Sequence, residues 1–415
     1  MKDQLKKFVL YSLKRMARRR LKNFKGKIIA VTGSVGKTST KEAISAVLNA
    51  KFRVKKSKGN MNSDFGLLLT ILNIESGNRS ALKWSVLMMK AFWHMTHEIS
   101  ADVLLLELGV DKPGDIDFLT SIIKPDIAVL TNVQAVHMAE GQFKNVDQIF
   151  HEKVKLLEAL PDGGIALVNF DDDRCRALKG KVNGVMTFGK NNEADFWTSR
   201  VKMDENGIDF VAHFKEEKWG VRAPVLGKYQ LYTLLPAVAC GHLMGMSAEE
   251  IEAAVERYEL PPGRMSVIEA INGAVILDST YNSSPKAVCA ALEVLSDVAG
   301  KRRRVAVLGN MNELGDRSTR LHEKVGEVLP EYVDLLLTVG KDAEKFGAGM
   351  KKVHNFKTAS EAAEFFKKEI KEKDIVLVKG SQNNVRLERF VKELMLEPER
   401  AKELLVRQSK QWTKL

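Results

Sequence analysis

The chain has 415 residues, 45% of them hydrophobic and 28% charged, which is too long for one compact core at about 150 residues per domain. That balance excludes a disordered or collagen-like chain, and no uncharged apolar run reaches the ~18 residues of a membrane span. Three scattered cysteines, Cys175, Cys240 and Cys289, form neither a disulfide framework nor a metal-ligand spacing, so a reducing compartment, most simply the cytoplasm, is expected.

The net charge of +12 is concentrated rather than spread. Residues 1–27 hold eleven Lys/Arg against the single acid Asp3, so ten of the twelve net positive charges sit there. The rest of the chain is nearly neutral, which argues against a nucleic-acid surface. Within this arm, residues 1–26, the apolar positions Leu5, Phe8, Val9, Leu13, Met16, Ala17, Leu21 and Phe24 recur at steps of three and four, the pattern of an amphipathic helix. Its uncharged stretch, Phe8 to Leu13, is too short for a signal peptide. Two readings stand: an interfacial helix making peripheral contact with anionic lipid, or a helix docked on the body with its basic face in water.

Lys27–Thr32 reads as a short buried strand, followed by Gly33-Ser34-Val35-Gly36-Lys37-Thr38 and a helical pattern from Ser39 to Leu48. Strand, Gly-rich turn, Lys-Thr and helix together form a phosphate cradle. Glycines let backbone N–H groups approach the anion, Lys37 reaches the terminal phosphates, and the Thr38 hydroxyl faces Mg²⁺. The spacing departs from the strict pattern, since the first glycine stands only three residues before Gly36. ATP is the expected nucleotide. Val103–Leu106 reads as a second buried strand ending in Glu107, and Ile127–Thr131 as a third, followed by Asn132 and His137. An acid and a histidine at neighbouring strand ends could coordinate a second Mg²⁺. A stripe at Trp84, Leu87, Met88, Ala91, Phe92 and Met95, with Trp93 beside it, reads as core or as an apolar surface shared with the arm. Beyond a Pro261-Pro262-Gly263 hinge, strands are expected near Ala274–Leu277, Val305–Leu308, Leu335–Val339 and Ile375–Val378, alternating with helices.

Several spaced motifs in order resemble the Mur ligases: Val31–Glu42, Gly59–Asn62, Leu106–Gly109 with Pro113–Ile116, Lys124–Ala128, Asn132–His137, Pro262–Arg264, Asp278–Pro285, Val307–Gly315 with His322, and Val378–Ser381. The pattern is most similar to the branch that adds D-alanyl-D-alanine to UDP-N-acetylmuramoyl-tripeptide, a step of peptidoglycan precursor synthesis. The resemblance implies an α/β chain with a central P-loop-type ATPase domain of mostly parallel sheet (27–260) and a C-terminal Rossmann-like α/β domain (261–415). It implies an ATP-dependent amide ligase working through an acyl phosphate on a muropeptide-type substrate and a dipeptide. Gly33, Ser34, Gly36, Lys37, Thr38 and Ser39 would hold ATP. Glu107 and His137, with Thr38, would hold Mg²⁺, of which two are implied. Lys153, in His151-Glu152-Lys153, matches a lysine that family members carry as a carbamate, and so would be a further Mg²⁺ ligand. Arg264 and Asn282 match nucleotide-contacting positions at the domain junction; Asn60 and Thr70 lie in the loop near the reacting centre. The family's N-terminal UDP-binding domain has about 26 residues in its place here, so the resemblance leaves three expectations: the donor is not a UDP-sugar, its nucleotide end is held another way, or a partner supplies that function. The alternatives are a folylpolyglutamate synthase-like ligase and a non-ligating, membrane-associated ATPase module.

Overall fold

The computed structural model describes residues 2–59, 61–77, 80–135, 141–312, 314–382, 385–409 and 412. They group into two compact units: one of 1–200, 210–222 and 231–258, the other of 201–209, 223–230 and 259–415.

The first unit opens with helix α1 (Lys2–Lys22), then β1 (Lys27–Thr32), α2 (Lys37–Asn49), β2 (Val54–Lys56), α3 (Asp64–Leu72), α4 (Ala81–Met95) and β3 (Val103–Glu107). It continues with α5 (Asp115–Thr120), β4 (Ile127–Leu130), α6 (Val146–Glu158), β5 (Ile165–Asn169), α7 (Asp173–Arg176) and β6 (Val185–Gly189). Then come β7 (Phe196–Asp204) and β8 (Gly207–Phe214), whose residues 201–209 group with the second unit, and β9 (Glu217–Ala223), followed by α8 (Leu231–Leu243) and α9 (Ala248–Glu256). The strands form one sheet in the order β2-β3-β1-β4-β5-β6-β7-β8-β9. From β2 to β7 every ladder is parallel; β7 to β9 are joined by two-residue turns and so run antiparallel.

Buried parallel strands carry apolar residues on both faces. Ala30, Leu104, Leu106, Ala128, Leu130, Ala166 and Val168 share one core with α3 and α6. Their neighbours Ile29, Val31, Leu105 and Val129 point the other way by strand alternation and are equally buried. Helices α2 and α8 pack against each other, with Ala43, Ile44 and Val47 inward on α2.

The arm is folded onto this unit. Leu13 and Ala17 are fully buried in the same core, and Val9, Leu10, Met16, Leu21 and Phe24 pack against it. Arg20 is buried too, and its guanidinium donates to the carbonyls of Ile71 (2.8 Å), His97 (3.1 Å) and Glu98 (3.3 Å). Of the stripe expected to face lipid or the body, the part from Val9 to Phe24 meets the body, while Phe8 stands exposed. The α4 stripe divides: Ala91 is core, Trp84, Leu87 and Met88 lean on it, and Phe92 and Trp93 stand in water. Among the described residues no helix is long and apolar enough to cross a membrane.

The second unit holds β10 (Ser266–Glu269), β11 (Val275–Ser279), α10 (Pro285–Ala299), β12 (Arg304–Gly309), β13 (Leu335–Val339), β14 (Val353–Phe356) and β15 (Ile375–Lys379). Their order is β10-β11-β15-β12-β13-β14, parallel except for β10 on β11. The four strands expected from sequence are the central ones here. An open parallel sheet with helices on both faces puts its ligand crevice at the carboxyl ends of the strands.

Candidate active site

β1 and β3 are neighbours in parallel register, Val31 opposite Glu107, so the phosphate loop and the acid leave the sheet at the same end. Two backbone positions build the loop. Gly33 has φ +150°, and a Cβ there would come 1.9 Å from Thr131 Oγ1; Gly36, at φ +86°, caps α2 in the left-handed region. The loop is braced from β4's exit: Ser34 N donates to Asn132 O (2.9 Å), Val35 N to Asn132 Oδ1 (2.9 Å), and Thr131 Oγ1 to Val35 O (2.8 Å). Ser34 Oγ accepts from Gln134 N at 2.8 Å. Ser39, on the first turn of α2, is buried, and its carbonyl accepts from Tyr258.

Two ammonium groups converge on one carbonyl. Lys37 Nζ donates to Gly33 O (2.9 Å) and Ser34 O (3.3 Å), and Lys153 Nζ, arriving from α6, donates to Gly33 O at 3.1 Å. Lys153 is 1% exposed, not the solvated helix lysine that its sequence neighbourhood alone would suggest. Burial first, and then the nearby Lys37 charge, push its amine down to about 7. The adjacent Glu152 braces the fold, its buried carboxylate accepting from Gly114 N (3.0 Å) and Ile116 N (2.9 Å) at the start of α5.

Glu107 is 1% exposed. Its Oε1 accepts from Thr38 Oγ1 and from Asn62 Nδ2, both at 3.0 Å, while Oε2 is buried without a hydrogen bond. Lys41 Nζ stands 3.5 Å from Oε2, fully buried, and donates to Ser57 O and Gly59 O at 2.8 Å each. Sequence reasoning missed Asn62 and Lys41 as parts of the site. The signal was available for Lys41: it lies four residues after Lys37 and three after Thr38, on the same helical face.

A buried carboxylate with one oxygen unbonded, beside a threonine hydroxyl at a phosphate loop, fits Mg²⁺, which keeps several waters and takes one or two protein oxygens plus phosphates. Among the described residues, which do not include His137, no three His, Cys, Asp or Glu side chains gather. Asn60 and His137 lie outside the described residues. Thr70 sits on α3 with its hydroxyl donating to Gly66 O (2.9 Å).

In the second unit, the loops leaving β11, β12 and β15 are tied together. Lys379 Nζ donates to Ser279 Oγ (3.1 Å) and Asn282 O (2.9 Å), and Ser381 Oγ donates to Ser283 O (3.2 Å). Asn282 Oδ1 accepts from Ser283 N, and the Arg264 guanidinium lies 4.2 Å from the Tyr281 ring centroid. Burial pushes Asp278 up to about 6 and Lys379 down to about 8. Arg407 holds the turn from behind, donating to Thr280 O and Tyr281 O. His322 is a buried brace, accepting from Met311 N with Nε2 and donating to Ser318 O with Nδ1.

A family model for the Mur ligase middle domain matches residues 31–241, half the chain, and one for the Mur ligase glutamate ligase domain matches 263–382. The chain belongs to the Mur ligase family. Among Mur ligases it resembles the UDP-N-acetylmuramoyl-tripeptide–D-alanyl-D-alanine ligase of Bacillus subtilis, 27% identical over 396 residues, covering 94% of this chain and 80% of that protein. The crystal structure of MurF ligase from Thermotoga maritima in complex with ADP superposes with a TM-score of 0.78 at 28% identity, over 95% of this chain and 84% of that one. Folylpolyglutamate synthase of Mycobacterium tuberculosis superposes at 0.64 with 15% identity over 90% of this chain and 92% of that one, a likeness of fold alone.

Proposed function

We propose that this Mur ligase forms an amide bond at the expense of ATP, adding D-alanyl-D-alanine to a muramoyl-tripeptide through an acyl phosphate. The observation that carries the reading is the cluster at the ends of β1 and β3. There a buried carboxylate is bonded to the loop threonine, and two lysines share one loop carbonyl. The relatives whose names specify this reaction support the choice of substrates.

Amide formation from a carboxylate and an amine in water is uphill, so the carboxylate first needs a leaving group. The ATP γ-phosphoryl moves to a carboxylate oxygen, giving acyl phosphate and ADP. The amine then attacks the carbonyl carbon, phosphate leaves as the C–O bond breaks, and the amine proton goes to solvent or base. The protein's share is to position anions and neutralise their charge. Lys37 takes up the charge on the transferring phosphoryl group. The Thr38 hydroxyl and Glu107 carboxylate would hold Mg²⁺, with His137 by family resemblance. When bound, the ion screens phosphate charge and polarises the phosphoryl oxygens. Lys41 fixes the carboxylate of Glu107 and the 57–59 backbone together. With its amine near 7, Lys153 is about half neutral at pH 7, the form that adds CO₂. Nitrogen attacks carbon, one proton is lost, and the resulting carbamate supplies an anionic oxygen beside Gly33. Arg264 and Asn282 are carried as candidates for nucleotide contact.

Phosphate release from ATP, measured with and without muramoyl-tripeptide and D-alanyl-D-alanine, tests the reading. Turnover should require both, and the product should gain the mass of the dipeptide. Turnover with neither would make the chain an ATPase module; turnover with glutamate and a folate would move it to the folylpolyglutamate branch.

A further inference from the structure

Six of the nine large hydrophobic side chains exposed among the described residues lie on two neighbouring helices, α1 and α4. α4 carries large apolar side chains on more than one side, together with Lys83, Lys90 and His94. One side rests on the core, while Val86, Met89, Phe92 and Trp93 stand 48–66% exposed on the other. Its large apolar side chains are thus covered by the core on one side and left in water on the other. On α1, Phe8 and Tyr11, each 65% exposed, lie on the stripe that also carries exposed Arg15, Arg18, Arg19 and Lys22. The two helices are aligned at both ends. Lys6 Nζ lies 6.0 Å from the Phe65 ring, which is 5.9 Å from Trp84 at the start of α4, and Arg20 bonds the carbonyls of His97 and Glu98 just beyond α4's end. α1 therefore runs beside α4 in the same direction.

We propose that the outer face of α1 and α4 docks the protein on an anionic bilayer surface. Charge selects this occupant. α1 carries nine Lys/Arg and one acid, and α4 two lysines and no acid. Large apolar and aromatic side chains flanked by Arg and Lys is the composition that enters the headgroup boundary while its cations meet lipid phosphates. This face shares only Phe8 with the stripe read from sequence, whose Leu13 and Ala17 are buried in the body. It shares no residue with the phosphate-loop cluster, so vesicle binding and ATP turnover are read independently.

Co-sedimentation of the full chain with phosphatidylglycerol/phosphatidylcholine vesicles, against phosphatidylcholine alone, tests the proposal. Binding is expected to the anionic vesicles only, and to be lost at about 1 M salt, where the screening length is about 3 Å. Each cation near such a surface is worth about fivefold in partition, so Arg15→Gln/Arg18→Gln/Arg19→Gln together should lower binding about a hundredfold. Met89→Ser/Phe92→Ser should weaken binding without changing the circular dichroism spectrum or thermal transitions. Brominated acyl chains should quench Trp93, a signal that Trp93→Phe removes. The proposal falls if the chain ignores anionic vesicles at low salt, if both variants bind like the parent, or if sedimentation equilibrium shows a dimer that Met89→Ser/Phe92→Ser dissociates. That last result would make the face a contact between copies of the chain.

Discussion

Glu107 accepts two hydrogen bonds on one oxygen and none on the other, so the isosteric Glu107→Gln keeps the side chain's shape and removes its charge. The amide oxygen can keep Thr38 and Asn62, while the charge needed at a phosphate-bearing cation is gone. Turnover should fall by about a hundredfold or more, the usual scale for losing one group that stabilises transition-state charge, and the thermal midpoint should fall too, because the buried Lys41 ammonium loses its counter-charge at Oε2. Wild-type turnover would remove Glu107 from the site. Lys153 offers a test with a pH axis. Its folded amine lies near 7, below the ordinary lysine value. Below pH 7 both folded and unfolded chains hold the proton, and the fold bears the full cost of a buried ammonium. Between about 7 and 10 the unfolded chain holds more protons, so stability rises with pH. Lys153→Met, which has nothing to protonate, should therefore be the more stable chain in urea at pH 6, in CO₂-free buffer, with the gap closing by about pH 10. A constant gap would mean the amine titrates normally. These residues differ in how far the sequence discloses them. The loop lysine, its threonine and the strand-end acid follow from motif and strand alternation. Asn62, Lys41 and the burial of Lys153 come from tertiary packing, which local pattern does not encode.

The arm shows the same limit in an element. Its 3.6-residue stripe is plain in sequence, but a stripe states only that a helix needs an apolar neighbour, not which one. The structure gives that neighbour as α3 and α4, with Arg20 closing three backbone carbonyls. Leu13→Ala should accordingly cost about 3 kcal/mol in chemical unfolding of the first unit, whereas Phe8→Ala and Tyr11→Ala, at exposed positions, should stay within about 0.5 kcal/mol. Equal small effects would mean that α1 detaches freely. The parallel strands β1, β3 and β4 are legible because buried strands read as continuous Val/Ile/Leu runs, whereas β2, β5 and β6 are not among the strands expected from sequence. The β7–β9 meander is not legible either, although Glu217–Ala223 alternates in burial at every second residue. Its strands mix apolar with charged and polar positions, as in Gly207–Phe214 with Asp209 and His213, and so lack the continuous runs of β3 and β4.

For the whole molecule, two compact units allow unfolding to proceed in more than one step, so a single midpoint is not assumed. Leu13→Ala supplies a marker: whichever calorimetric transition it lowers belongs to the first unit. A ligand that binds only the folded loop stabilises by about 2.7 kcal/mol at a hundred times its dissociation constant. Mg²⁺ and a non-hydrolysable ATP analogue should therefore raise the same transition that Leu13→Ala lowers. Lys37→Ala should erase that rise while the ligand-free transition remains, since two of the Lys37 Nζ hydrogen bonds, to Gly33 O and Ser34 O, are to its own loop. Chelating the metal should shrink the rise, since the Glu107 carboxylate would then face phosphate without a cation between them. A rise that survives Lys37→Ala, or one confined to the transition that Leu13→Ala does not move, would place nucleotide binding away from the loop between β1 and α2.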